Sequence, residues 1–253
     1  MRNVSHSIVK EDILLARVLR EVPAEEGFYI DVGANDPDID SVTKLFYDRG
    51  WRGINIEPSP HWWRRLEEVR TRDFNLNVAI SDQRGTALLY DHPQGGLGTL
   101  LESLAQRHAD RLGLVTHPTD VVTMPLSDVI RKYSPKVVHF LKVDVEGFEE
   151  RVLRGMDFAE CRPWVLCIEA TEPNMLHVST HERWESMLLS SGYHFAQFDS
   201  VNRWYLADEK RDLLVRFANV VDDYVSYHYV KEIRRLRNYV AELQTTLAEL
   251  RRN

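Results

Sequence analysis

The amino-acid sequence predicts an α/β domain built on a mixed, largely parallel sheet, followed by a separate C-terminal helix. Three observations carry this reading. Short β-branched runs alternate with helical stretches from Phe28 to Ser191, the pattern of crossover units that generates parallel strands. Two later runs, 193–198 and 203–207, flank Asp199-Ser200-Val201-Asn202 and pair naturally as an antiparallel hairpin that closes the sheet. From Ile233 onward, apolar residues recur at 3-4-3-4-3 spacing, which is a heptad seam.

The elements follow in order. Residues 1–25 read as an N-terminal helical segment, 26–221 as the main domain and 222–253 as the tail. Phe28-Tyr29-Ile30-Asp31-Val32 is a buried strand ending at Gly33. Residues 41–49 read as a helix, with Val42, Leu45 and Phe46 at helical spacing. Gly53 to Glu57 is a second strand, stopped by Pro58, and the next helix opens with Ser59 as N-cap and Pro60 at its first position. Residues 74–80 are a third strand, 137–143 a fourth and 164–168 a fifth, with helices predicted over 148–156 and 182–191. The stretch 95–120, with Gly95-Gly96-Leu97-Gly98-Thr99, reads as loop-rich, either a cover over a site or a surface connection.

Composition sets outer bounds. The 253 residues are 43% hydrophobic, enough for a sizeable core and unlike a disordered chain. Two cysteines, Cys161 and Cys167, exclude a disulfide scaffold and a C-x-x-C zinc site, and fit a reducing compartment. No apolar run reaches the roughly 18 residues of a membrane span, and Met1 to Lys10 lacks the apolar core of a signal peptide. The expected location is cytoplasmic. The net charge of −7 argues against nucleic acid as a partner. The charge is uneven: six basic against three acidic residues from His228 to Asn253 make that tail +3, which leaves −10 on the rest.

Ligands of open α/β sheets bind outside the carboxyl ends of the strands, so the strand ends are where chemistry is sought. The first ends in Asp31-Val32-Gly33-Ala34-Asn35, a glycine turn that lets backbone approach a ligand, though not a G-x-G-x-x-G pattern. The second ends in Glu57, placed to take the two hydroxyls of a ribose or, alternatively, to sit at the following helix dipole. The fourth runs into Lys142-Val143-Asp144-Val145-Glu146-Gly147, whose alternation puts three charges on one side. Glu169 ends the fifth, with Glu172 just beyond. Asp144, Glu146 and Glu169 crowded together would raise one another's pKa and supply a general base, or hold a cation such as Mg²⁺; a salt-bridge cluster around Lys142 is the structural alternative. His61, His92, His108 and His117 are scattered and read as solvated. His177 and His181 have the i, i+4 spacing of a metal pair, but Ser179-Thr180 looks like a helix start between them, so His181 is read as contacting substrate.

Taken together, Asp31-Val32-Gly33-Ala34-Asn35, Ile56-Glu57-Pro58, Asn77-Val78-Ala79-Ile80-Ser81-Asp82 and Lys142-Val143-Asp144-Val145-Glu146-Gly147-Phe148-Glu149 occur in the order seen in FkbM-type methyltransferases, and the chain resembles that family from about Glu26 to Leu206. The resemblance implies the class I methyltransferase fold, a Rossmann-like sandwich with a mixed seven-stranded sheet, and O-methyl transfer from S-adenosyl-L-methionine to a sugar, glycan, glycolipid or polyketide product. By the same resemblance, Asp31, Gly33 and Asn35 surround the methionine part of the cofactor. Glu57, with Pro58 beside it, takes the ribose, and Ala79 and Asp82 lie near the adenine. Asp144 to Glu149 faces the methyl group. Pro37 stands where the family often has glycine, which stiffens the turn. Asn202, Arg203 and Trp204 resemble an ending found in a subgroup associated with polysaccharide genes, and with His181 are expected to face a sugar acceptor. Asp144 or Glu146 is expected as base, with Glu169 as neighbour and Lys142 tuning the charge; if a metal takes part, Asp144, Glu146 and Glu169 are its expected ligands. The rival reading is a non-catalytic scaffold of the same fold that docks a glycan-assembly partner through its tail.

In the tail, Ile233, Val240 and Leu247 take a positions and Leu236, Leu243 and Leu250 take d positions. A homo-oligomer through residues 229–252 is expected. A helix packed on its own domain, or a peripheral membrane contact through Arg234, Arg235, Arg251 and Arg252, are the alternatives.

Overall fold

The computed structural model describes residues 3–91, 96–113, 116–172, 175–218 and 224–250. His92 and Gly95 lie outside the described residues, as do Arg251 and Arg252 and the boundary at 222.

Seven strands form the main sheet: β1 (Phe28–Val32), β2 (Arg52–Ile56), β3 (Phe74–Leu76), β4 (Phe140–Val143), β5 (Val165–Glu169), β6 (Tyr193–Phe198) and β7 (Asn202–Ala207). Their spatial order is β6-β7-β5-β4-β1-β2-β3. The first five strands pair in parallel, while β7 runs antiparallel to both β5 and β6. This is the mixed seven-stranded sheet expected of a class I methyltransferase. The parallel strands all end on one edge, so Gly33, Glu57, Asp144 and Glu169 are brought together by register alone.

Helices cover both faces. The helices of the domain are α1 (Glu11–Val18), α2 (Lys44–Asp48), α3 (Pro60–Val69), α4 (Glu102–Leu112), α5 (Leu126–Tyr133), α6 (Glu149–Arg154) and α7 (Glu185–Ser190), and α8 (Tyr227–Leu250) follows outside the sheet's cover. Strand side chains alternate between the faces. Ile30, Val32, Leu141, Val143, Leu166 and Ile168 pack with α5, α6 and α7. Tyr29, Phe140, Val165, Cys167 and Trp204 pack on the other side with Ile13, Leu15 and Val18 of α1 and Phe46 of α2. The N-terminal helix therefore belongs to the main core. Among the described residues, no helix is long and apolar enough to cross a membrane.

Three elements differ from the sequence expectation. The run 74–80 is two strands: Phe74–Leu76 stays in the main sheet, while Ala79–Ile80 pairs with Thr123–Met124 in a second sheet. Asn77 causes the break, because its side-chain amide donates to the carbonyls of Glu57 (3.0 Å) and Pro58 (2.8 Å) instead of extending the ladder. The stretch 95–120 holds helix α4, which buries Leu104, Ala105 and His108 at helical spacing, so His108 is a core residue and not a solvated one. The expected N-terminal helical segment begins with a strand, Asn3–Ser5, paired in parallel with Tyr224–Ser226 near the other end of the chain.

Asp73 ties the second half of the sheet together. Its carboxylate accepts from Tyr29 Oη (2.7 Å), the Gly53 amide (2.8 Å) and Asn55 Nδ2 (3.0 Å). A Cβ on Gly53 would sit 2.1 Å from the Tyr29 ring, so only glycine lets that ring reach Asp73. Removing the acceptor leaves buried donors unpaired, at about 1–3 kcal/mol each. Asp73→Ala is expected to cost at least about 3 kcal/mol in urea unfolding; a loss below about 1 kcal/mol would remove Asp73 from this role.

Candidate functional site

A cavity of about 600 Å³ opens at the carboxyl edge of the sheet. Its floor is the turn after β1. Gly33 has φ +84°, and a Cβ there would lie 1.8 Å from the Asp144 carbonyl oxygen, so glycine is required by both conformation and space. Asn35 has φ +49°, a left-handed conformation that asparagine tolerates better than most side chains. That conformation aims the Asn35 amide at Glu57 Oε2 (2.8 Å), while Glu57 Oε1 accepts from the Ser59 amide (2.8 Å). Glu57 is thus fixed at the end of β2 with lone pairs left over. Burial pushes its carboxyl up to about 7, although the two amides pull the other way.

Around Glu57 the wall is largely apolar. Ile56, Pro58, Trp62, Val78, Ala79, Ile80 and Leu89 face the cavity. The second sheet exists to hold Ala79 and Ile80 there. Gly96, Leu97, Gly98 and Leu100 also line the cavity, so the described part of the glycine-rich stretch borders it. Thr99 pins this stretch, accepting from the Leu101 amide (3.1 Å) and donating to the Glu146 carbonyl (2.9 Å).

The opposite wall is acidic. Lys142 Nζ is buried at the centre, 3.6 Å from Asp31 Oδ1, 3.3 Å from Asp144 Oδ2 and 3.3 Å from the Gly33 carbonyl. Burial alone would lower its pKa, but the Asp144 and Asp31 carboxylates outweigh that and hold the ammonium charged. Lys142 is therefore a fixed positive charge and no base. Asp144 and Glu146 line the cavity from the β4 turn, and Glu169 from the end of β5. Glu146 adopts φ +52° and the next residue, Gly147, φ +91°; this turn is held by Glu149, whose Oε1 accepts from the amides of Val145 (3.3 Å) and Gly147 (3.0 Å). Burial, then the charge of Asp144, drives the carboxyls of Glu146 and Glu169 well above the usual range. The Oε2 atoms of both are buried without a hydrogen-bond partner.

Several expected site residues stand elsewhere. Asp31 is buried behind Lys142, where Thr43 Oγ1 donates to it (3.1 Å); it does not reach the cavity. Asp82 turns outward to pair with Arg151 (2.8 Å), because the chain enters the second sheet just before it. Trp204 is fully buried in the core, with Nε1 on Asp199 (2.7 Å). Arg203 lies over the Phe195 ring and pairs with Glu185 (2.6 Å). His181 bonds Ser179 and sits 3.6 Å from Glu185, away from the cavity; His177 is on a strand, Met175–Ser179, so the two histidines share no helix face. Asn202 is buried beneath the wall. Among the described residues, no group of three or more His, Cys, Asp or Glu side chains is arranged to hold a metal ion. Asp144, Glu146 and Glu169 therefore do not fit the metal-ligand role, and the Lys142 ammonium stands beside Asp144 where a cation would compete.

The sequence reading missed three acidic residues of the cavity lining, Glu11, Asp40 and Asp91. Glu11 faces the cavity beside Ile8 and Val9, its Oε1 accepting from Asn202 Nδ2 (3.2 Å) and its Oε2 from the Val9 amide (3.0 Å). Burial raises its carboxyl to about 7. The segment is shaped by Asp12, which accepts from the hydroxyls of Ser5 and Ser7 and the amides of His6 and Ile13 at 2.7–2.8 Å. The Ser-x-Ser before an acid was the only sequence cue. Trp62 also lines the cavity without having been singled out.

Comparison with known proteins follows the geometry. A search of curated proteins finds no match. A solved structure described as "StiE O-MT residues 961-1257" is similar over 87% of this chain and 83% of that chain, at 10% identity and a TM-score of 0.41. The family model of the methyltransferase FkbM domain matches residues 31–195. That stretch runs from the end of β1 into β6 and carries the cradle around Glu57 and the acidic wall. The chain belongs to the FkbM methyltransferase family.

Proposed function

We propose that the protein is an S-adenosyl-L-methionine-dependent O-methyltransferase acting on a hydroxyl of a sugar in a glycan or glycolipid. The observation that carries this is the pairing, in one cavity, of a fixed carboxylate in an apolar slot with two buried carboxyls, each with one oxygen that has no hydrogen-bond partner.

The residues fit the cofactor. Glu57 keeps lone pairs for two ribose hydroxyls, Trp62, Val78 and Ala79 make an apolar slot of the kind a purine needs, and the Gly33 turn admits close backbone approach. When bound, the cofactor supplies an electrophilic methyl group on a sulfonium. The surrounding acids favour that positive charge. The protein's remaining tasks are to align the acceptor oxygen and to take its proton.

Glu146 is the proposed base. Glu146 lines the cavity, its Oε2 makes no hydrogen bond within the protein, and burial with the neighbouring charge of Asp144 raises its carboxyl. Asp144 is less suited, because its carboxylate is already engaged in the ion pair with the Lys142 ammonium, 3.3 Å away. Lys142 and Asp31 are positioning residues. Glu11, with Ile8, Val9, Leu176 and Val201, lines a part of the cavity that combines one carboxylate with apolar surface, which suits a sugar that presents both hydroxyls and a C–H face. This replaces Asn202, Arg203, Trp204 and His181 as the proposed acceptor contacts. Asn202 then acts through Glu11.

The test is S-adenosylhomocysteine formation on addition of hydroxyl-bearing glycosides and glycolipid extracts, with calorimetric titration of S-adenosyl-L-methionine. Failure to bind the cofactor would return the protein to the scaffold reading. Glu57→Ala is expected to weaken cofactor binding about 10- to 100-fold. Glu146→Gln is expected to lower kcat about 10²- to 10⁴-fold with cofactor affinity nearly unchanged; equal loss in both would make Glu146 a binding residue.

Stability should also depend on pH. Glu11, Glu57 and Glu149 are each raised from 4.5 to about 7 by burial. The folded state then binds protons that the unfolded state has released, so their contribution is full below pH 4.5 and is lost as pH rises through about 7. His139, lowered to about 4, and His6 and His108, also lowered by burial, act in the opposite sense up to about one unit above their unfolded value of 6.5, and are outweighed by the three acids together with Glu146 and Glu169, which burial raises further. The melting temperature of the ligand-free protein is therefore expected to fall between pH 6.5 and about 8, and to fall less in Glu57→Gln. A rise over that interval contradicts the assignment.

A further inference from the structure

The cavity leaves the C-terminal helix unexplained. Helix α8 spans 24 residues, about 36 Å at 1.5 Å per residue. Its root is anchored: Tyr224–Ser226 pairs with Asn3–Ser5, the Tyr227 ring stacks on His6 at 4.7 Å, and His228 reaches Asp40 at 3.2 Å. Beyond the root, every residue from Lys231 to Gln244 is exposed. That removes the reading of a helix packed on its own domain.

The exposed face has a definite form. Ile233, Leu236, Val240 and Leu243 are 45–50% exposed and follow one another at 3-4-3 spacing. By sequence the seam continues to Leu247 and Leu250, whose side chains lie outside the described part. A lone helix in water draws little stability from its own hydrogen bonds and needs its apolar face covered. A membrane surface would call for a broad apolar face, whereas this is an a/d seam two residues wide. β-Branched Ile233 and Val240 at a, with Leu236 and Leu243 at d, favour two parallel strands. Charge agrees: Glu232 falls at g and Arg237 at the following e, the pair that meets across a parallel two-stranded seam. Among the described residues Glu232 makes an exposed contact with Arg235 (3.4 Å), which two copies can exchange at little cost.

We propose that α8 is the interface of a parallel homodimer, with Ile233, Leu236, Val240 and Leu243 as its seam and reciprocal Glu232–Arg237 pairs as its register. This surface lies outside the catalytic machinery and stands or falls separately from the methyltransferase reading.

Sedimentation equilibrium on the full chain is expected to give twice the 29.5 kDa of one chain. Leu236→Asp with Leu243→Asp, both on exposed positions, is expected to give a single-chain mass with unchanged near-ultraviolet circular dichroism. Glu232→Arg alone is expected to weaken association roughly three- to tenfold by placing like charges together, and Glu232→Arg with Arg237→Glu to restore it. A monomeric wild type at high micromolar concentration overturns the proposal, as does a dimer that survives both aspartates. Failure of the charge swap to restore association overturns the parallel register. A monomer that co-sediments with phosphatidylserine vesicles assigns the seam to a membrane surface instead.

Discussion

The ammonium of Lys142 stands between the carboxylates of Asp31 and Asp144 and beside the carbonyl of Gly33. It joins the end of β1 to the end of β4 in the middle of the sheet. Neither buried charge would be tolerated alone, since an unpaired ion out of water costs several kcal/mol. Paired, they fix the spacing of two strand ends whose backbones already touch, with no room for a Cβ at Gly33. The Gly33 turn and the acidic turn are consequently joined as one unit. The position of Glu57 depends on it through Asn35, and the glycine-rich stretch depends on it through Thr99 and the Glu146 carbonyl.

The same arrangement sets the electrostatics of the cavity. One ammonium cannot neutralise the seven acids that, among the described residues, line the cavity. Asp144 takes the nearest share, and burial raises Glu11, Glu57, Glu146 and Glu169. Such a site is poor at holding a small cation among converging carboxylates but well matched to a larger, diffuse positive charge.

The fold was legible in the sequence because its period-2 and helical patterns agree with the buried faces, from Ile30 and Val32 to Leu166 and Ile168. The cavity residues on parallel strand ends were legible for the same reason: topology puts Gly33, Glu57, Asp144 and Glu169 on one edge whatever the side-chain detail. What could not be read depended on contacts distant in sequence or on which way a turn leaves the sheet. Glu11 meets Asn202 across nearly the whole chain. Asp82 follows Ala79 and Ile80 into a second sheet, which the continuous run 74–80 concealed. Trp204 and Arg203 sit in a strand whose alternation was visible, but their partners, Asp199 and Glu185, are ones that only tertiary structure supplies.

The pairing of Asn3–Ser5 with Tyr224–Ser226 has a consequence for the order of synthesis. The first strand leaves the ribosome long before its partner is made. Residues Ile8, Val9 and Glu11, which wall the cavity, follow directly from that strand. The sheet can form and β1 can meet β4 while the tail is still being translated, but this wall lacks its final clamp until residues 224–226 emerge. A nascent chain would thus pass through a stage in which the floor around Gly33 is formed while the wall of Ile8, Val9 and Glu11 is still loosely held.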